Sequence, residues 1–221
     1  MNYAALQAAI IAYTENTSTD FAAQIPVFVT QAEQRIYNSV QFPSLRKNVT
    51  GVTTTNNKYL QCPADFLAVY SMAAIDATRA YEYLLNKDVN FIRQSYPNPT
   101  EDKAIPRYYA LFGPRSDDEK ELSFLLGPTP DASYTIELHY YYYPESITTA
   151  ASGRTWLGDN FDTVLLYGSL VEAYTYMKGE QDMMTLYDGK YKEALAMAKR
   201  LGDGMERQDA YRSGQYRQPV T

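Results

Sequence analysis

The chain has 221 residues, of which 45% are hydrophobic and 21% charged, an ordinary globular balance that allows a substantial core. Its net charge of -6 repels phosphate and so disfavours free binding to nucleic acid. One cysteine excludes an intramolecular disulfide and a zinc site built from cysteines. Tyrosine is unusually frequent, with 22 residues, and its large ring with a polar tip suits subunit contacts.

The first forty residues are predicted to form two helices. Apolar residues at helical spacing predict the first helix over Tyr3–Thr14, followed by a polar loop over residues 16–20. The second helix is predicted over residues 25–40, with Pro26 at its first position, where a helix needs no N–H. No basic residue precedes the apolar residues 4–13, so they are interpreted as helix and not as a secretion signal, and no apolar run is long enough to span a membrane.

Residues 44–145 are rich in β-branched and aromatic side chains, which predicts a β-rich insertion. It is expected to begin with a hairpin that turns at Asn56 and Asn57. A short turn and an extended run within residues 63–70, continued over residues 73–75, and a short helix over residues 87–94 follow. An antiparallel meander of three strands is predicted over residues 108–112, 121–126 and 134–143.

The last of these strands carries the only histidine and a run of four tyrosines. His139 is interpreted as an ordinary strand residue, because a metal site built mainly from histidine needs more than one. The run Tyr140, Tyr141, Tyr142 and Tyr143 places two rings on each face of its strand. One face can cover the core, while the other is either ordinary wet surface or a contact surface.

The C-terminal region is predicted to be a helical hairpin led by Trp156. Apolar residues cover more than one stripe over residues 160–178, which predicts a central helix buried on two sides. Gly179 ends this helix, and a second helix with a single apolar stripe is predicted over residues 182–201. Trp156 and Leu157 are expected to form a packing anchor at the start of the central helix.

The predicted fold class is therefore α+β. A helical bundle forms from residues 3–40 and 160–200, with the inserted antiparallel β-rich subdomain and a flexible C-terminal arm. These parts make one domain over residues 1–201. Residues 202–221 contain glycines and arginines but no apolar stripe, which predicts an extended arm without structure of its own in the free monomer.

The sequence carries no motif for catalysis or for a cofactor. It has no phosphate-binding loop, no HExxH, no CxxC and no GxSxG. An acidic cluster alternates with lysine in a predicted turn, which is typical of solvated charge rather than of a calcium site. Its members are Asp117, Asp118, Glu119 and Glu121. A carboxylate pair assembled across the fold remains compatible with the sequence, so a hydrolase stays an alternative.

The order of these parts resembles the head-to-tail adaptor proteins of tailed bacteriophages over nearly the full chain. The segments that carry the likeness read IPVFVTQAEQRIY, IPRYYALFG, YTIELHYYYYPESIT and TWLGDNFDTVLLYGSLVEAYTYM. The likeness is closest to adaptors of short-tailed phages, which have a Trp-Leu turn, a Leu-Leu-Tyr-Gly helix and an acidic-alanine step. Here these residues are Trp156, Leu157, Leu165, Leu166, Tyr167, Gly168, Glu172 and Ala173.

This resemblance implies a structural virion protein without enzymatic activity or cofactor. It would form a ring, commonly of twelve copies, docked under the portal protein and joining it to a tail or nozzle protein. DNA would pass through without specific binding, and the protein would be made in the host cytoplasm. The alternative of a β-rich tail or glycan-binding module explains exposed tyrosines but does not need the apolar hairpin.

Two sets of residues are predicted to make contacts in such an assembly. Tyrosine and arginine often carry interface energy, so the arm would dock on the portal through Tyr211, Arg212, Tyr216 and Arg217. The run Tyr140 to Tyr143 would supply contacts between subunits.

Overall fold

The computed structural model describes the backbone of residues 1–113 and 122–213, with side chains through residue 202. The chain divides into two compact units. The helical unit comprises Met1–Leu45 and Tyr143–Thr221, and the β unit comprises Arg46–Tyr142. The α+β class, with a bundle from both ends of the chain and an inserted β-rich part, is confirmed.

The elements follow one another in chain order. The helices are α1 (Tyr3–Thr14), α2 (Thr19–Ser39), α3 (Val89–Ser95), α4 (Trp156–Asn160), α5 (Asp162–Met177) and α6 (Gln181–Ser213), with a 3-10 turn at Pro43–Leu45. The strands are β1 (Arg46–Val52), β2 (Tyr59–Gln61), β3 (Phe66–Ile75), β4 (Tyr81–Tyr83), β5 (Leu85–Asn86), β6 (Tyr108–Phe112), β7 (Ser123–Gly127) and β8 (Thr135–Tyr142).

Helix α5 is the centre of the helical unit and packs against α1, α2 and α6. Its Gly168 shows how close the neighbours come. A Cβ atom at this position would lie 3.1 Å from the Tyr191 ring of α6 and 3.2 Å from the Ala32 Cβ of α2. Two different helices therefore cover α5, and the predicted burial on two sides is confirmed.

Helix α2 begins six residues earlier than predicted. The Ser18 hydroxyl accepts a hydrogen bond from the Phe21 N–H and caps the helix at Thr19. Pro26 consequently lies inside the helix and not at its first position. The buried residues Phe21 and Ile25 extend the apolar stripe into this extra turn, so packing compensates for the hydrogen bond that proline cannot donate.

The turn between α5 and α6 uses Lys178 and Gly179 in different ways. Lys178, not the glycine, takes the left-handed conformation, with φ 53°. The N–H groups of Lys178 and Gly179 donate to Thr175 and Tyr174 and close the helix end. Gly179 is needed because a Cβ there would lie 2.6 Å from the Tyr174 ring.

Helix α6 continues to Ser213, where the sequence predicts an extended arm from residue 202. The reason lies at Gly202, which is buried against the other end of the helical unit. A Cβ on Gly202 would lie 3.2 Å from both the Gln41 carbonyl oxygen and the Val40 side chain. This glycine permits close packing and does not end the helix.

The β unit contains two four-stranded sheets, with strand orders β1-β8-β3-β4 and β2-β7-β6-β5. The predicted hairpin is wrong, because β1 and β2 lie in different sheets. Of the predicted meander, the antiparallel pair β6–β7 is confirmed, but β8 pairs with β1 and β3 instead of β7. A tight two-residue hairpin of the Asn-Asn type needs positive φ at both central residues. Only Asn56 has it, with φ 63°.

The core of the β unit is built from inward-facing residues of both sheets, including Phe66, Phe124, Ile136 and Leu138. Helix α3 covers the second sheet, where Ile92 packs with Ala110 and Leu125. Strand β7 is buried along its whole length.

Glu33 is a buried carboxylate in the helical unit, with 2% of its surface exposed. Its Oε1 accepts the Ile147 N–H at 2.9 Å and so ties α2 to the segment that leads into α4. Burial raises the pKa of Glu33, and hydrogen bonds from Ser146 and Ile147 oppose this only in part. Folding therefore favours the protonated carboxyl group.

We expect this buried carboxyl group to make stability depend on pH. A raised folded pKa means that its contribution is complete below the unfolded pKa and is lost as pH rises through the folded value. Glu33→Gln keeps the acceptor oxygen but cannot ionise, so it should flatten this decline. Urea midpoints between pH 4 and pH 8 measure it, with exposed Glu145→Gln as the control. Equal slopes for wild type and Glu33→Gln would contradict the expectation.

Candidate protein-interaction surfaces

Strand β8 divides its tyrosines between the two faces of the first sheet. Tyr140 is 1% exposed and lies in the core, and Tyr142 packs partly on the same core. Tyr141 lies on the other face, with its ring 5.9 Å from that of Tyr70. The ring of Tyr140 therefore cannot reach another subunit, in contrast to the contact predicted for it. Tyr143 is exposed and donates a hydrogen bond from its hydroxyl to Asn38 in the helical unit.

The opposite face of the first sheet presents a group of aromatic rings that we call the tyrosine face. The Arg46 guanidinium lies 4.6 Å from the ring centre of Tyr70 and 5.6 Å from that of Tyr141. Arginine over exposed aromatic rings is a frequent arrangement in protein interfaces. The tyrosine face consists of Arg46, Tyr70, Tyr81, Tyr83 and Tyr141.

Strand register places Tyr81 and Tyr83 on the same face of the sheet as Tyr141. Tyr83 lies opposite Ala73, which lies opposite Glu137, and Glu137 shares its side of β8 with Tyr141. Tyr81 and Tyr83 stack at 6.2 Å and are about half to two-thirds exposed. The sequence did not predict these two as contacts, because their three-residue strand carries too weak a pattern.

Asp65 fixes the buried tyrosine at the end of the β unit. Its carboxylate accepts hydrogen bonds from the Tyr140 hydroxyl and the Lys47 ammonium group, both at 2.7 Å. Burial acts to raise the pKa of Asp65, but these two hydrogen bonds, the charge of Lys47 and a backbone hydrogen bond together outweigh it and lower the pKa. The carboxylate is therefore ionised at neutral pH and holds Tyr140 in the core.

Trp156 lies in an aromatic cluster of the helical unit but is not fully buried. Its ring is 5.2 Å from Phe42 and 5.4 Å from Phe161, and 36% of its surface remains exposed. Phe42 is completely buried, and Leu157 is 1% exposed. Phe42 is therefore the centre of the cluster, and Trp156 covers it from the solvent side.

The predicted arm residues fall into two groups. Tyr211 and Arg212 belong to the last turns of α6, of which the backbone alone is described. Tyr216 and Arg217 lie outside the described residues, as does the acidic cluster of residues 117–121.

A cavity of about 380 Å³ opens between the edge strands β1 and β2. Its lining is mainly apolar and includes Leu60, Ile136, Leu138 and the only cysteine, Cys62. Burial raises the pKa of the Cys62 thiol to about 12. The thiol is therefore a packing group and a poor nucleophile.

We expect Cys62 to react slowly with Ellman's reagent in the folded protein. A pKa of about 12 instead of 9.0 lowers the thiolate fraction at pH 8 by about a thousandfold. The reaction should reach the rate of an ordinary thiol after unfolding in urea. Lys192→Cys in a Cys62→Ser background is the exposed control. A native rate equal to that of the control would show that Cys62 is accessible.

Residues 1–113 and 122–202 contain no group of three His, Cys, Asp or Glu side chains placed to hold a metal ion. His139 lies half-buried in β8, opposite Asn48 and Ser71. Within the described part of the chain, no helix combines the length and apolar character needed to cross a membrane.

The family model described as SU10 adaptor protein matches residues 1–219 of the chain. The match includes the helical unit, the β unit and all but the last two residues of the sequence. No curated protein matches the chain.

Proposed function

Because the chain belongs to the SU10 adaptor protein family, we propose that it forms a ring between the portal and the tail of a bacteriophage virion. The family match over residues 1–219 is the observation that carries this proposal. It agrees with the resemblance to the head-to-tail adaptors of short-tailed phages. The role is structural and not enzymatic: the ring receives the portal on one side and a tail or nozzle protein on the other.

The tyrosine face is the proposed contact between subunits of the ring. Tyr70, Tyr81 and Tyr83 are exposed and Tyr141 is half-buried, and all four rings stand on a sheet that provides a rigid backbone, so little entropy is lost when they are covered. Arg46 adds a cation held over two of the rings. Of the four tyrosines from Tyr140 to Tyr143, Tyr141 belongs to the tyrosine face. Tyr143, which is exposed on the helical unit, supplies a further contact between subunits.

The charge of the protein fits a channel through which DNA must move. A net charge of -6 repels the phosphate backbone, so DNA passes during packaging and ejection without being held. The portal is bound by the C-terminal arm, which here means the last turns of α6 and the residues after them, because its tyrosines and arginines are suited to an interface.

Electron microscopy of purified portal rings mixed with this protein tests the proposal. We expect an added ring of about twelve copies on one side of each portal. The double variant Tyr81→Ser and Tyr83→Ser should leave most portals bare, whereas Phe112→Ser, which alters an exposed ring on the other sheet, should add normally. Portals that stay bare with the wild-type protein would contradict the adaptor function.

A glycan-binding tail module is the second candidate. The observation that favours it is the exposed stack of Tyr81 and Tyr83, because parallel rings can carry a sugar. Binding of the isolated protein to a glycan array, lost in the Tyr83→Ser variant, would favour this candidate over the ring.

A further inference from the structure

Helix α6 has an exposed seam beside its buried side, with a large apolar residue at each end. Its inner side is buried through Tyr187, Tyr191 and Ala198. On the outer side, Leu186 is 51% exposed and Met197 is 62% exposed. A helix that packs on one side only would normally place polar residues at such positions.

The residues between these two complete a regular spacing. Leu186, Lys190, Glu193 and Met197 are separated by four, three and four residues, which is the spacing of a coiled-coil seam. The Lys190 ammonium group lies 3.7 Å from the Glu193 carboxylate. The seam therefore has an apolar residue at each end and a neutral pair of charges in the middle.

This order of charges is complementary to itself only when a second helix runs in the opposite direction. In an antiparallel pair centred between residues 191 and 192, Leu186 lies opposite Met197 of the second copy. Lys190 then lies opposite Glu193 of the second copy, and the two-fold axis repeats both contacts. A parallel pair would instead place lysine against lysine and glutamate against glutamate.

We infer that two copies of the free protein pair through the outer seams of α6 in antiparallel orientation. The seam from Leu186 to Met197 is only about 16 Å long. It buries far less than the roughly 800 Å² per partner of a stable complex, so the dimer dissociates readily.

The α6 pair is a different contact from those between neighbours in the proposed ring. A two-fold contact cannot join neighbours in a ring whose copies all point the same way, because each such contact reverses the direction of the chain. The α6 pair is therefore a state of the free protein that covers the seam before assembly. Addition to a portal requires the pair to separate.

Sedimentation velocity at rising protein concentration tests the pairing. The wild-type protein should shift from monomer towards dimer, and Met197→Glu should remain monomeric at concentrations where the wild type is mostly dimeric. Lys190→Glu should weaken the dimer at least tenfold, and the exchanged variant Lys190→Glu with Glu193→Lys should restore it. Lys192→Glu, on another side of α6, is the matched control and should pair normally. A wild-type monomer at all concentrations, or failure of the exchanged variant to pair, would overturn the inference.

A disulfide lock separates this inference from the proposed function. In a Cys62→Ser background, Lys190→Cys places two thiols near the two-fold axis and should oxidise to a dimer, whereas Lys192→Cys should not. Equal cross-linking of both variants would overturn the antiparallel register. The oxidised Lys190→Cys dimer should not add to portals, and reduction should restore addition. If the oxidised dimer adds to portals, the pair does not have to separate before assembly, and that part of the inference is wrong. If the wild-type protein does not add to portals, the proposed adaptor function is wrong, but the evidence for the dimer is unaffected.

Discussion

Phe42→Ala is expected to lower the free energy of unfolding by about 3 to 5 kcal/mol. Phe42 has no exposed surface, and its ring packs 4.9 Å from Phe161 and 5.2 Å from Trp156. Removing it leaves a cavity between the rings of Trp156 in α4 and Phe161, the residue that links α4 to α5. Trp156→Ala should cost only about 2 kcal/mol, because the indole is already partly in water and leaves a smaller void.

Urea denaturation at one pH, followed by circular dichroism, would measure both losses, because Trp156→Ala removes the only tryptophan of the chain. Val27→Ala is the control in the same unit, since this side chain is 46% exposed and should change stability by no more than about 0.5 kcal/mol. If Trp156→Ala costs as much as Phe42→Ala, the indole and not Phe42 is the buried centre of the cluster in solution.

Helical spacing was the most informative signal in the sequence. Helix α1 lies at the predicted residues, and α5 is covered on two sides, because both follow from apolar residues within one short segment. The start of α2 differs from the prediction because the local preference of Pro26 indicates a first helical residue. Packing of Phe21 and Ile25 outweighs the local preference of proline.

Strand pairing could not be predicted in the same way. The extents of β3 and β6 follow from local composition, but their partners depend on contacts that are distant in the chain. Asn56 and Asn57 indicate a hairpin by residue type, yet the Asn57 N–H donates to the Thr54 carbonyl, so the turn is centred on Thr55 and Asn56, and the strands on either side of it lie in different sheets. The β-propensity of a segment indicates that it forms a strand but does not determine which strand it pairs with.

The tyrosine face has one part that could be predicted from local sequence and one part that could not. The run at Tyr140 to Tyr143 was visible as a repeat, and its alternation between faces follows from strand geometry. The position of Arg46 beside Tyr70 and Tyr141 could not be predicted, because these three residues come from three different strands. Gly202 was also misleading, since only the folded helical unit shows that it packs against Val40.

The second large effect is expected from removal of the C-terminal arm, in two steps. Deleting residues 214–221 removes Tyr216 and Arg217, and deleting residues 204–221 also removes Tyr211 and Arg212. Both truncations keep Gly202 and the buried side of α6 before it, so the helical unit should fold with an unchanged urea midpoint. Addition to portal rings should fall with the first truncation and be abolished by the second, because tyrosine and arginine anchors dominate interface energy.

A matched pair of full-length variants distinguishes the effect of the four anchor side chains from the effect of shortening the arm. Replacing the four anchors with alanine should abolish addition as the longer truncation does, while alanine at Gln215 and Gln218 should leave it intact. The fraction of portals that carry a complete ring, counted by electron microscopy, measures both effects. If the longer truncation still adds with full occupancy, the arm does not attach the protein to the portal. The attachment would then have to come from the helical unit or the tyrosine face.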